Sequence, residues 1–155
     1  MSLQSVKAFF SHHSPDLEVL ELASSTATVA LAAEALAVEP GQIAKSLSLR
    51  VGEEVIVLVV RGDARLDNRK YKQQFGVKAR MFEAEQVEQH TGHPIGGVCP
   101  FGLSQPLRVF CDESLKDFEV VFPAGGAVNA AVRIEPQRLA SLVNAQWVDV
   151  IQPLG

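Results

Sequence analysis

Lys45 sits where a cation needs a reason. The segment Ile43 to Arg50 alternates with period two, which predicts a half-buried strand. Ile43, Lys45, Leu47 and Leu49 share one face, and Ala44, Ser46, Ser48 and Arg50 share the other. The lysine is therefore on the apolar side. An ammonium group there must be paired, must reach water along its stem, or must enter a cavity that uses its charge.

The second chemical feature is the stretch Gly92 to Gly102, with four glycines and two prolines in eleven residues. Such a stretch cannot be regular structure. Within it, Gly96-Gly97-Val98-Cys99-Pro100 can approach a ligand closely through its backbone, and successive N–H groups can cradle an anion or a polarised carbonyl oxygen. A tight structural turn would have the same composition. No Gly-Lys-Ser/Thr follows, so this is not a phosphate-binding P-loop, and no dinucleotide fingerprint is present. Cys99 with His90 or His93 as base would make a thiol nucleophile, but Val98 and Pro100 offer no activating charge, and a small buried hydrophobe is the simpler role. Gly92 and Pro94 break the helix that would let His90 and His93 chelate a metal, and no third ligand stands at motif spacing. No metal and no cofactor are expected. His12 and His13 suit the C-terminal end of a helix dipole.

The third feature is charge. Of the fourteen Lys and Arg residues, seven fall between positions 61 and 80: Arg61, Arg65, Arg69, Lys70, Lys72, Lys78 and Arg80. With Asp63 and Asp67 the segment carries +5, on a chain whose net charge is −4. A body this acidic does not grip nucleic acid over its whole surface, and no DNA partner is expected. A local basic patch can still hold a few phosphates, although a solvated helix face would look the same.

The elements that must position these groups follow from the pattern. Helices are predicted from Leu3 to His13, from an N-cap at Ser24, Ser25 or Thr26 to about Val38, from Asp67 to Phe75, from Glu83 to His90 and from Pro136 to Asn144. Strands are predicted at Leu17 to Leu22, Ile43 to Arg50, Val55 to Val60, Lys78 to Phe82, Leu107 to Cys111, Phe118 to Phe122, Asn129 to Ile134 and Trp147 to Val150. Val55 to Val60 is apolar throughout and reads as a central strand covered on both faces. Strands joined by both hairpins and helices imply an α/β (α+β) fold: a mixed, mostly antiparallel sheet or partly closed barrel flanked by helices. With 155 residues and 47% hydrophobic content, a single domain spanning 1–155 is expected. Two cysteines, no apolar run of membrane length and no signal-peptide core point to a cytoplasmic protein with no membrane partner.

Together, Thr28-Val29-Ala30-Leu31-Ala32-Ala33, Gly41-Gln42-Ile43-Ala44-Lys45-Ser46-Leu47, Arg61-Gly62-Asp63, Thr91-Gly92, the Gly96-x-x-x-Pro100 loop and Ala124-Gly125-Gly126 with Asn129-Ala130 resemble, in this order, the YbaK/ProX family. These are free-standing relatives of the editing (INS) domain of bacterial prolyl-tRNA synthetase. The resemblance implies a trans-editing aminoacyl-tRNA deacylase, which hydrolyses the ester of a mischarged tRNA carrying a small amino acid such as Ala, Ser or Cys, with tRNA(Pro) as a candidate carrier. It maps the family's essential lysine onto Lys45 and its catalytic loop onto Gly96, Gly97, Val98, Cys99 and Pro100. The N–H groups of Gly97 to Cys99 are then expected to hold the aminoacyl carbonyl oxygen, with the Lys45 ammonium pointing toward the Gly96 to Pro100 backbone. Thr28, Ser46, Gly125 and Asn129 are implied to bind substrate, and Arg61, Arg65, Arg69, Lys70 and Lys72 to meet the tRNA backbone. The expected partner is the acceptor end of an aminoacyl-tRNA, with a synthetase as a possible helper. Ala131 stands where cysteine-clearing members carry an aspartate, which sets this chain apart from them. The alternative is a module that binds aminoacyl-tRNA or a synthetase without hydrolysis.

Overall fold

The structure is a computed structural model and describes residues 2–154. Helix α1 (Ser2–His13) leads to β1 (Val19–Glu21), then α2 (Val29–Leu36). A 3₁₀ turn at Pro40–Gln42 delivers the chain into β2 (Ile43–Val51), which turns back through Gly52 into β3 (Glu54–Arg61). Helices α3 (Asn68–Phe75) and α4 (Ala84–Thr91) follow, then β4 (Arg108–Asp112), a second 3₁₀ turn at Glu113–Asp117, β5 (Phe122–Pro123), β6 (Ala130–Val132), α5 (Pro136–Leu142) and β7 (Gln146–Val148).

The larger sheet has the order β5-β2-β3-β4-β7, and β1 pairs with β6 in a second, two-stranded sheet. The sheet is mixed, as expected. Its longest ladder is the antiparallel β2–β3 hairpin, from Ala44↔Arg61 to Val51↔Glu54. β5 joins β2, β4 joins β3 and β7 joins β4 in parallel. The side-chain alternation read for β2 holds, because Lys45 lies opposite Val60 and Leu47 opposite Leu58.

Both faces of the sheet are covered, which is why β3 is apolar throughout. Val57, Val59, Val109 and Cys111 pack with Val6 and Phe10 of α1, Phe101, Leu115 and Leu139 of α5. On the opposite face, Leu49, Ile56, Leu58, Val60 and Phe110 pack with Tyr71 of α3, Val148 and Val150. A smaller cluster joins Ala32 and Ala33 of α2 to Ile43 and Phe122.

Several local expectations change. The N-cap of α2 is Thr28, whose Oγ1 accepts from the Leu31 N–H at 3.2 Å, and not Ser24, Ser25 or Thr26. Lys78 to Phe82 forms no strand; it touches the sheet only where Met81 bridges Leu49 and the Arg50 N–H donates to Arg80 O. Phe118 to Phe122 contributes just the last residue of its range to β5. The short β5 has a consequence. It pairs with β2 only at Ile43 and Ala44, and the next bridge on that side is at Leu49. The edge of β2 between them is open.

Candidate functional site

A cavity of about 230 Å³ opens at this edge. Its walls come from the Thr26 to Val29 segment, Ala32 of α2, Ile43 to Ser48 of β2, Met81 and Phe82, Ile95, Gly96 and Val98 of the glycine loop, Phe122 to Ala124, and Ala130 and Ala131 of β6. Among the described residues, Lys45 is its sole ionisable lining group.

The open edge supplies backbone chemistry. In an antiparallel ladder, alternate residues turn their N–H and C=O away from the partner strand. Arg50 does so, donating to Arg80 O, and Ala44 does so toward β5. The same alternation turns the main-chain polar groups of Ser46 and Ser48 outward, along the cavity.

Lys45 is half-buried, and its Nζ donates to the carbonyl oxygen of Ala64 at 2.8 Å. Burial pushes its pKa below the ordinary lysine value; Asp63 works the other way, and Arg65 adds to the depression. The ammonium is therefore anchored by the turn after β3 and not by the backbone of Gly96 to Pro100, toward which the resemblance directs it. It shares the cavity with Gly96 and Val98.

The loop divides by alternation. Gly96 and Val98 line the cavity, whereas Gly97, Cys99 and Pro100 do not. Gly97 is spent on architecture: its N–H donates to Pro94 O, its carbonyl accepts from the Gly126 N–H, and a Cβ there would lie 2.8 Å from the Ala127 nitrogen. Its N–H is thus not free to cradle a substrate oxygen. Cys99 is fully buried, and burial pushes its thiol up to about 12. A thiol in that state is not a nucleophile. Its neighbour His93 is also buried, with Nε2 2.7 Å from Phe101 O and Nδ1 2.5 Å from Ser2 Oγ. Among the described residues no His, Cys, Asp and Glu group of three or more could hold a metal.

The other assigned residues separate. Thr28 and Ser46 line the cavity. Gly125 lies behind the wall, packed on Val19 and Ala130, and the Asn129 amide donates to Leu22 O at 3.1 Å; neither lines the cavity. Arg61 is engaged internally: its guanidinium pairs with Asp63 and Asp117 and stacks over Phe118, and the Asp63 hydrogen bonds push its pKa up. Lys70 donates to Asp149 and to Ile151 O. Arg65, Arg69 and Lys72 are exposed and hold no carboxylate among the described residues.

The structure adds two side chains not assigned as site residues from the sequence, Thr26 and Arg50, and shows how Ser46, already implied to bind substrate, is held. The Thr26 and Ser46 hydroxyls are buried without a hydrogen-bond partner among the described residues. The guanidinium of exposed Arg50 lies 5.3 Å from the centroid of Phe82, a lining residue. The i,i+2 spacing of Ser46 and Ser48 on an otherwise apolar strand is a legible hint of an open edge; nothing in the sequence marks Thr26 as more than a cap.

Residues 23–142 match the model of the aminoacyl-tRNA editing domain. The chain belongs to that family. It is 47% identical over 152 residues to the uncharacterised protein YwhH of Bacillus subtilis, covering 97% of each chain. It is 32% identical over 112 residues to the proline–tRNA ligase of Kosmotoga olearia; the match takes in 68% of this chain and 19% of the ligase. A solved structure described as that of a candidate trans-editing enzyme for prolyl-tRNA synthetase superposes with a TM-score of 0.90 at 35% identity, covering 98% of both chains. The editing-domain fold is therefore shared over nearly the whole chain. Among the described residues, no helix of this editing domain is long and apolar enough to cross a membrane.

Proposed function

We propose that this chain is a trans-editing aminoacyl-tRNA deacylase that clears small amino acids from mischarged tRNA. The carrying observation is the pairing, in one cavity, of a half-buried ammonium with an open strand edge. An aminoacyl ester is already activated, so charge stabilisation and orientation suffice. A water molecule, or a group of the substrate itself, attacks the carbonyl carbon. The bond to the ribose oxygen breaks, and that oxygen leaves with the proton surrendered by the nucleophile. Lys45 faces the negative charge that develops, and the outward N–H groups of β2 are placed to hold the carbonyl oxygen. The alanine-lined walls suit a small acyl side chain. The acceptor end is a narrow anionic target, and Arg65, Arg69 and Lys72 are exposed cations available to meet it. A synthetase that delivers the tRNA is a compatible partner.

The test is turnover of one tRNA charged in turn with alanine, serine, cysteine and threonine. Hydrolysis above background that disappears in Lys45→Ala supports the reading. Lys45 being the sole ionisable lining group among the described residues also suits a module that binds without hydrolysing. Binding with no turnover of any of the four would favour that module.

A further inference from the structure

Two residues that line the cavity carry enclosed hydroxyls with no hydrogen-bond partner among the described residues. Thr26 is 6% exposed, and its Oγ1 has no partner among the described residues. Ser46 is half-buried, but its Oγ is enclosed and likewise has no partner among the described residues. Both residues line the same cavity, from opposite elements. Thr26 is fixed there by its own backbone, whose N–H donates to Val128 O at 2.6 Å, and Ser46 by its place in the β2–β3 ladder opposite Val59. Buried hydroxyls are ordinarily bonded, and leaving one unpaired is costly. Two in one small cavity mark a site suited to a polar group.

The surroundings say what kind of group. Most of the other lining side chains are apolar, and several are small: Ala32, Ala44, Ala130, Ala131 and Val98. Among the described residues the one charge lining the cavity is positive, so a second ammonium, such as the α-amino group of the substrate, is repelled from it. Each orphaned hydroxyl can both donate and accept. A neutral ligand hydroxyl satisfies the pair, accepting from one and donating to the other. A methyl satisfies neither, and a thiol is a weak donor and acceptor.

Resting on the deacylase reading above, we propose that Thr26 and Ser46 form a specificity subsite for a hydroxyl-bearing acyl side chain, selecting serine over alanine. A cavity that merely sorts by size cannot separate these two well, but one whose polar groups stay unpaired with the wrong substrate can.

The test compares kcat/KM for the same tRNA charged with serine and with alanine. Wild type favours serine by at least about tenfold. Thr26→Val and Ser46→Ala each bring that ratio toward one, and Thr26→Ser, which keeps the hydroxyl, retains the preference. A wild-type ratio near one overturns the subsite. So do variants that stay folded by circular dichroism and slow both substrates equally, because that is the pattern of hydroxyls serving the common backbone. If no aminoacyl-tRNA is turned over, the deacylase reading fails by itself. The subsite is then decided by calorimetry with 3′-seryl-amino- and 3′-alanyl-amino-3′-deoxyadenosine: tighter binding of the seryl compound by a similar factor upholds it, and equal binding overturns it.

Discussion

Lys45 Nζ sits 2.8 Å from the carbonyl oxygen of Ala64, so the cation of the apolar strand face is tethered to the turn that follows β3. This hydrogen bond explains how an ammonium persists among Leu47, Val60 and Ala64. One N–H is held strongly while the remaining donors stay available. Lys45→Met preserves the stem, removes the buried charge and leaves the Ala64 carbonyl unpaired. The first change relieves a cost and the second imposes one of about 1–3 kcal/mol. The expected outcome is a melting temperature within a few degrees of wild type and deacylation reduced by about 10²-fold or more. Parallel thermal melts and single-turnover assays check it. A loss of activity matched by a collapse in melting temperature would make Lys45 a structural residue only.

The Cys99 side chain belongs to the core. Its thiol is held up to about 12 by burial, and it lies 3.7 Å from both His93 Nε2 and Phe101 O. Native protein should therefore resist alkylation by iodoacetamide at pH 8 and become reactive only in denaturant. Cys99→Ala should keep deacylation within about threefold while losing about 1–2 kcal/mol of stability, the cost of a small cavity. Mass spectrometry of alkylated native protein and urea titration read the two effects.

The legible parts of this molecule are those governed by local pattern. β2 and β3 show themselves by alternation and by an unbroken apolar run, and both lie where the pattern puts them. Helix α3 is capped by Asp67, whose side chain accepts from the Lys70 N–H, and stops at Gly76 in the left-handed region, as capping chemistry requires. The face carrying Lys45 is legible for the same reason. What fails depends on distant partners. The Lys78 to Phe82 segment has strand-like residues but meets only one bridge, because β2 offers it a single position at Leu49. Gly125 and Asn129 serve the cavity wall from behind, through Val19 and Leu22, and no local pattern distinguishes that role from lining it. Charge counting marks Arg61 and Lys70 as free cations; only the fold shows Asp117 and Asp149, remote in sequence, closing on them.

His93 makes stability depend on pH. Burial pushes its pKa below the ordinary imidazole value of 6.5, and the hydrogen bond to Phe101 O opposes that only in part. Nε2 lies 2.7 Å from that carbonyl and Nδ1 2.5 Å from Ser2 Oγ, whose own proton goes to Gly126 O. Below pH 6.5 the unfolded chain therefore binds a proton that the folded chain refuses. Stability falls as the pH drops through 6.5 and levels off once the folded value is passed. Urea midpoints should be lower at about pH 5 than at about pH 7.5. His93→Gln, which retains a donor for Phe101 O, should flatten that slope. Carboxylates lowered by ion pairs, such as Asp63 and Glu54, give up their contribution at more acid pH, outside this window. An unchanged slope in His93→Gln would assign the effect elsewhere.

The basic segment divides into cations that hold the fold and cations that can meet phosphate, and the two groups should answer differently to salt. The Arg61 side chain is 13% exposed and clamps Asp63 to Asp117 beneath Phe118. Removing it strands two carboxylates, so Arg61→Gln should lower the melting temperature and leave the salt dependence of tRNA binding alone. Arg65, Arg69 and Lys72 are exposed and, among the described residues, have no carboxylate to release before they bind. Replacing all three with glutamine should leave the melting temperature nearly unchanged. It should weaken tRNA binding and reduce the slope of log affinity against log salt by about 0.7–0.9 for each phosphate no longer neutralised. Filter binding between about 50 and 200 mM salt, the range in which such slopes are resolved, measures this. If the triple variant keeps the wild-type slope, the acceptor end does not cross α3, and the tRNA must approach from another side of the cavity mouth.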